Sequence, residues 1–491
     1  MCAERDARLT PRASPGNTPF LASAAPRATL APHRPTEVTV TTLDARTAAA
    51  PTATTPAAPL TASHGRWLNG WDPEDAAQWE SVGRRIARRN LAVSVFAEFL
   101  GFAVWAMWSI VVPKLSDAGF ALTADQSFWL VAIPSLVGAT MRLPYTFAVP
   151  VFGGRNWTIV SALLLLLPLG GLYLAVQDPS TSFGVLLGVA ALAGLGGGNF
   201  ASSMANISYF FPQREKGRAL GFNAAGGNLG TAAVQLVVPI VVVTAAGLQL
   251  DRAALVVVPF VLLAALLAWR CMDNLSTARA NPRVYAAALR ERHTWVISLV
   301  YIGTFGSFIG FSGVFPTLLT RSFPGTTLSL AFLGALVGSL TRPLGGALAD
   351  RVGGARLTLV SFGAMALGIV GAIVSLRESS LVGFFASFLW LFTFSGIGNG
   401  SVYRMIPSVF ALLPERTAGT RAAVAAGCLG IAGAVGALGG FLIPRGFAIS
   451  TNATGGIQAA LVVMVGVYAV LAAVVWAVYA RRGTAFGRAR V

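Results

Sequence analysis

Arg142 and Arg342 stand 200 positions apart, each inside a long apolar segment with almost no other charge. A guanidinium keeps its proton at physiological pH, so each carries a full positive charge into low dielectric. Insertion scales put that cost at about 3 kcal/mol per arginine, and simulations put it higher. Charges in such places mark substrate or ion paths. Two facing guanidinium forks present paired, planar donors, which suit a small flat oxyanion. A carboxylate satisfies the same logic, so charge alone does not choose the anion. Two plainer readings compete: a side chain reaching back to the headgroups, or a structural ion pair. Arg142 lies some ten or more residues from either end of its segment, or roughly 15 Å, too far for easy snorkelling. Arg342 is nearer one end, where snorkelling competes better.

Few acids are available as partners. Glu98 is the only one deep in an apolar segment. Its plain reading is a charge partner for a nearby arginine such as Arg404; its functional reading is a proton site, since burial favours the protonated carboxyl. Arg404 is either a third positive group near a cavity or a residue facing the cytoplasmic vestibule.

These residues need elements that cross a bilayer. The 491 residues are 55% hydrophobic and 11% charged, against about 25% charged in a soluble domain. About twelve apolar runs of spanning length recur between residues 90 and 480. The net charge of +17 does not point to nucleic acid. Its basic residues fall at alternate connections: Arg84, Arg85, Arg88 and Arg89, then Arg155, then Arg214 and Arg218, and later Arg279 to Arg292, Arg351 and Arg356, Arg416 and Arg421, and Arg481 onward. That is the positive-inside pattern, with both termini cytoplasmic. Cys2, Cys271 and Cys428 are scattered, and His33, His64 and His293 show no ligand spacing, so neither a disulfide framework, a metal nor a cofactor is indicated.

The organisation follows. Residues 1–66, rich in Ala, Thr, Pro and Arg, read as a disordered cytoplasmic tail. Residues 67–89 read as an amphipathic segment on the cytoplasmic surface, with a helix start at Asp72-Pro73-Glu74-Asp75. A six-helix half, 90–272, is joined by a polar linker, 273–292, to a second half, 293–480, and a basic tail, 481–491, closes the chain. The halves repeat. At an offset of 200, Gly153-Gly154 matches Gly353-Gly354, Gly198-Asn199 matches Gly398-Asn399, and Gly227 and Gly230 match Gly427 and Gly430. An even number of crossings per half makes these parallel repeats about an axis along the membrane normal. Gly227, Gly230, Gly427 and Gly430, with Gly433, Gly436, Gly439 and Gly440 further along the same span, remove side-chain bulk, either for close helix packing or to let helices slide during gating.

Gly345-Gly346-x3-Asp350-Arg351-x-Gly353-Gly354-x-Arg356 resembles the loop motif of the major facilitator superfamily, whose acid braces the cytoplasmic face. The first-half counterpart, Val151-Phe152-Gly153-Gly154-Arg155, lacks the Asp-Arg pair, so the latch is expected to be weaker there. Residues 193–230, 301–316 and 395–410, together with WDPEDAAQW at 71–79 and FAEFLGFAVWAMWS in the first span, resemble the nitrate/nitrite porter (NarK-type) family, in its actinobacterial-like branch. The resemblance covers residues 67–480. It implies an all-α membrane protein of the major facilitator fold, with twelve transmembrane helices in two six-helix halves. It implies nitrate and nitrite as cargo, moved by exchange or, alternatively, with protons, by a monomer in the cytoplasmic membrane. The family's substrate arginines fall on Arg142 and Arg342, its aromatic wall on Phe200, its seventh-span tyrosine on Tyr301, and the asparagine of its fifth-span signature on Asn228. Phe200 and Tyr301 are equally readable as packing residues, and Asn228 as a helix–helix hydrogen bonder. A carrier of another small anion or a non-transporting sensor remain rivals. No nucleophile–base pair, metal cluster or phosphate loop points to an enzyme.

Overall fold

A computed structural model of the protein describes residues 59–245, 247–279, 281–413, 421–489 and 491. The expected tail lies outside the described residues as far as residue 58, and so do Arg416 and Arg490. Long helices follow one another: α1 (Ala76–Leu115), α2 (Ala124–Phe152), α3 (Gly154–Ala175), α4 (Phe183–Phe210), α5 (Gln213–Val242), α6 (Arg252–Cys271), α7 (Arg292–Ser322), α8 (Phe332–Val352), α9 (Gly354–Arg377), α10 (Leu381–Ala411), α11 (Arg421–Thr454) and α12 (Gln458–Ala480). Eleven are long and apolar enough to cross a membrane. The twelfth, α2, is of ample length at 29 residues but carries Asp125, Gln126 and Arg142. Three polar residues, one of them the first arginine, lower the apolar character of this span. α1 packs on α7, α2 on α11 and α5 on α8 across the halves. The last two pairings exchange under the 200-residue repeat.

The start of α1 corrects one expectation. Asp75 caps the helix, accepting from the Ala77 and Gln78 backbone N–H groups at 2.9 and 3.2 Å. The helix then runs on through residue 89 into the bilayer segment, broken only by a π turn at Trp79–Gly83. The π turn shifts the hydrogen-bond register without ending the helix, so residues 76–89 and the apolar segment form one element. One tryptophan before the helix and one in its first turns hold it down: Trp71 Nε1 donates to the Tyr209 carbonyl at 3.2 Å and Trp79 Nε1 to Glu215 at 3.2 Å. Within the expected tail, Thr61–Ser63 pairs antiparallel with Trp67–Asn69, which pairs parallel with Asn274–Leu275.

Those linker residues stand in for the missing first-half motif. Asp273 is buried and accepts from Arg66 at 2.8 Å, Arg89 at 2.5 Å and Asn90 at 2.9 Å. Asn274 Oδ1 accepts from the Arg155 backbone N–H at 3.0 Å, capping α3. Gly153 has φ +87°, and a Cβ there would stand 2.3 Å from Asn274 Oδ1, so only glycine fits the turn. In the second half Gly353 adopts φ +92°, but Asp350 meets Arg404 of α10 instead of a helix N-terminus, and Arg351 is exposed. Arg404 therefore neither pairs with Glu98 nor joins the arginine pair. Both partners of the Asp350–Arg404 ion pair have about half of their side-chain surface exposed. Such pairs contribute about 0–1 kcal/mol. Asp350→Asn should accordingly shift detergent-solubilised thermal stability by less than about 1 kcal/mol; a larger loss would show a latch stronger than this geometry allows.

At the opposite end of the bundle the halves meet directly. Arg445 of α11 donates to Asp125 of α2 at 2.9 Å and lies 4.1 Å from the Trp129 ring centroid. Gln235 of α5 donates to the Ser312 carbonyl of α7 at 2.7 Å. Phe128 and Phe447 stack at 6.4 Å.

Candidate functional site

Arg142 and Arg342 both lie inside the bundle, 1% and 5% exposed. Arg342 sits at the middle of α8, so it does not snorkel. Arg142 Nε donates to the Gly197 carbonyl of α4 at 3.2 Å, and its Nη1 donates to the Gly433 carbonyl of α11 at 2.5 Å. These bonds tie the guanidinium to both halves. Arg342 Nη2 donates to the Tyr301 hydroxyl at 3.2 Å. The remaining terminal nitrogens, Arg142 Nη2 and Arg342 Nη1, are buried with no hydrogen-bond partner. No carboxylate among the described residues makes an ion pair with either arginine. The structural ion pair is thus not how these charges are balanced.

Aromatic faces do part of that work. Arg142 lies 4.5 Å from the Phe200 centroid and 5.3 Å from that of Phe305. Arg342 lies 6.0 and 5.8 Å from the same two rings. Phe200 of α4 and Phe305 of α7 are themselves stacked at 6.3 Å. Two cations from opposite halves therefore share one pair of rings, whose negative faces attract them. Tyr301 continues the stack 5.2 Å from Phe305, and Tyr403 of α10 lies 5.2 Å from Arg342. A π turn at Ile302–Gly306 follows Tyr301. The wider turn is tolerated where Gly306 and Gly439 bring α7 and α11 together: a Cβ on Gly439 would stand 2.3 Å from Gly306 Cα.

Phe200 and Tyr301 thus stand at the arginine pair, Tyr301 in direct contact. Asn228 is 1% exposed, and neither of its amide atoms has a partner. The four glycines singled out from the repeat do not touch the arginines. Gly227 faces Glu98, Gly230 faces the Phe99 carbonyl, and Gly427 and Gly430 face Ala288 and Tyr285 of the linker helix Pro282–Arg290. Gly433 and Gly436 are the ones at the site, beside Arg142 and Tyr301. Phe305 and Tyr403 are additions that sequence reasoning passed over. Phe305 was findable, one helical turn beyond Tyr301 on the same face. Tyr403 precedes Arg404 directly, and nothing in the pattern separates the inward residue from the outward one.

Arg142 Nη2 and Arg342 Nη1 are thus buried donors without partners, set beside the faces of Phe200 and Phe305. The matched family model is the Major Facilitator Superfamily, over residues 94–444. The chain is 40% identical over 445 residues to the nitrate/nitrite transporter NarU of Escherichia coli, covering 84% of this chain and 96% of that one. The chain belongs to the nitrate/nitrite transporters of the Major Facilitator Superfamily. A probable nitrate/nitrite antiporter of Thermus thermophilus, NarK2, is 39% identical, with 86% and 99% covered. Among solved structures, the inward-open xylose transporter XylE from E. coli superposes with a TM-score of 0.62 at 14% identity, covering 79% of this chain and 94% of that one. That likeness concerns the fold: a multi-pass, all-α membrane protein of two six-helix halves. For a family member so built, the pair's position is telling, since the shared rings lie where α2, α4, α7 and α8 converge from both halves.

Proposed function

We propose that the protein carries nitrate and nitrite across the cytoplasmic membrane by alternating access, exchanging one for the other, with both termini in the cytoplasm. The observation that carries this reading is the pair of buried, unneutralised guanidinium groups, one from each half, sharing the faces of Phe200 and Phe305. A monovalent flat anion fits the unmet donors of both arginines. The stacked faces of Phe200 and Phe305 exclude water from one side of the pair, and the unpartnered amide of Asn228 is a further neutral donor in the same half as Arg142. Without an anion the two charges repel and resist closure of the halves around them; with one, that repulsion is offset. Such a carrier returns poorly when empty, which favours exchange. One chain supplies both arginines, so a monomer suffices. Asp125–Arg445 and its neighbours would hold the periplasmic side closed while the cytoplasmic side admits the anion.

Counterflow in proteoliposomes tests this. Labelled nitrite uptake should be fast with nitrate or nitrite inside and slow with neither. Equal uptake into anion-free vesicles would reject exchange. Formate or acetate competing as well as nitrate would reject the assignment of cargo.

A further inference from the structure

Along their contact between the halves, α2 and α11 change partners at one level. From the periplasmic end inward they touch directly. Asp125 meets Arg445 at 2.9 Å, the Trp129 and Phe441 rings lie 5.8 Å apart, and a Cβ on Gly440 would stand 2.5 Å from Ser135 Oγ. Arg142 and the Gly433 carbonyl continue the series at 2.5 Å. Beyond them, toward the cytoplasmic ends, the linker helix Pro282–Arg290 stands against both. Tyr285 packs on Phe147 of α2, 5.0 Å between ring centroids, and a Cβ on Gly430 of α11 would lie 3.6 Å from its Cε1. Ala288 is wholly buried, and its Cβ would lie 2.9 Å from a Cβ on Gly427. Helices in direct contact have axes about 8–10 Å apart, so an inserted helix holds its neighbours wider. The repeat mates of this glycine face are closed differently. Gly227 and Gly230 are filled by α1 of their own half, at 2.3 Å from Glu98 Oε1 and 2.0 Å from the Phe99 carbonyl oxygen for an added Cβ. The linker helix itself has nine residues, and a helix that short is marginal alone. It is tethered to each half at one end: the Tyr209 hydroxyl of α4 donates to the Arg279 carbonyl at 3.4 Å, and Trp295 Nε1 of α7 donates to the Leu289 carbonyl at 2.8 Å.

We infer that the linker helix is a wedge in the cytoplasmic gate: Tyr285 is the positioning residue that holds α2 and α11 apart, and the helix must leave the Gly427–Gly430 face before the halves close on that side. The inference rests on the alternating-access reading and deepens it by naming the element whose movement permits the step. Rocking brings the cytoplasmic ends of α2 and α11 together, and they cannot meet while a helix fills the space between them. The bare face makes withdrawal easy, because no side chain at Gly427 or Gly430 interlocks with the linker. It also leaves a seat on which α2 can close, since small residues let helices approach closely. The wedge stands beside the anion site. Gly430 precedes Gly433, the partner of Arg142, by three residues, or about 4.5 Å along the helix. An anion that draws Arg142 from the Gly433 carbonyl therefore frees the same stretch of α11 that the wedge must quit.

The test locks the wedge to its seat. In the full-length protein with Cys2, Cys271 and Cys428 replaced by alanine, Ala288→Cys and Gly427→Cys set two thiols on facing helices. Their Cβ positions, 2.9 Å apart, need to part by only about 1 Å to reach disulfide geometry. Oxidation should lower nitrate counterflow in proteoliposomes at least about tenfold, and reductant should restore it, while nitrate binding to the solubilised, cross-linked protein stays within about threefold of the reduced form. Cross-linked protein that exchanges nitrate at the reduced protein's rate would overturn the inference while leaving the anion site standing, and so would two cysteines that fail to bridge. An unsubstituted protein that neither binds nor exchanges nitrate would instead sink the transport reading, and this inference with it. Ala288→Cys alone, in the same background, decides the matter should the double variant misfold. Its thiol, buried here, should react with a water-soluble maleimide at least about threefold faster during nitrate exchange than without nitrate; equal rates would reject the wedge.

Discussion

Arg142→Lys should lower nitrate counterflow by at least about 100-fold, or about 3 kcal/mol, although the charge is retained. The reason lies in how many directions the guanidinium serves at once. Nε holds the Gly197 carbonyl, Nη1 holds the Gly433 carbonyl across the halves, and Nη2 is left for the anion. The planar group also lies against Phe200. An ammonium is a point donor on a flexible stem and cannot occupy two fixed carbonyls and a planar guest together. Losing one partner of a buried, hydrogen-bonded charge contact costs about 2–5 kcal/mol, so the expected loss sits mid-range. Counterflow at matched protein content reads it, with Arg404→Lys as the control expected to keep most activity, because its partner Asp350 lies at the exposed edge. Retention of activity within about threefold in Arg142→Lys would discredit the paired-fork geometry.

Gly230→Ala and Gly430→Ala should behave oppositely, though the two positions are repeat mates. A Cβ at Gly230 would stand 2.0 Å from the Phe99 carbonyl oxygen and 3.0 Å from the Ala103 nitrogen. Both are backbone atoms of α1, so relief requires moving one helix away from the other. Overpacking a well-packed interior costs about 1–3 kcal/mol, and more where no side chain can yield. The variant should lose about 3 kcal/mol of stability or fail to fold. At Gly430 the nearest atom is Tyr285 Cε1, 3.6 Å away, an ordinary contact. Alanine there should be neutral or stabilising by up to about 1 kcal/mol, through its better helix propensity. Thermal unfolding in detergent compares them. Equal losses would mean that the α1–α5 approach is looser than described.

These two experiments divide what can be read along a chain from what cannot. The buried arginines and the six-plus-six arrangement were legible because each rests on a cost local to the residue or on a spacing: a charge in an apolar run, an offset of 200. The same holds for the family, whose motifs are continuous stretches. The helix start was legible only to within a turn: Asp72-Pro73-Glu74-Asp75 precedes the helix, and Asp75 is its cap. Partnerships were not legible. Arg404 and Glu98 looked like complementary charges in apolar segments, yet Arg404 faces Asp350 and Glu98 faces neutral amide and hydroxyl groups. The repeat offered Gly227, Gly230, Gly427 and Gly430 as equals, whereas one seats a carboxyl, one a backbone and two the linker helix. Asp273 and Asn274 replaced a missing motif from more than a hundred residues away. Each outcome depends on how far a helix is rotated about its axis and how closely it crosses its neighbour. Hydrophobic pattern sets which residues are buried but leaves that rotation free among nearly equal alternatives. Only packing all twelve helices together selects one, and with it the two rings that both arginines share.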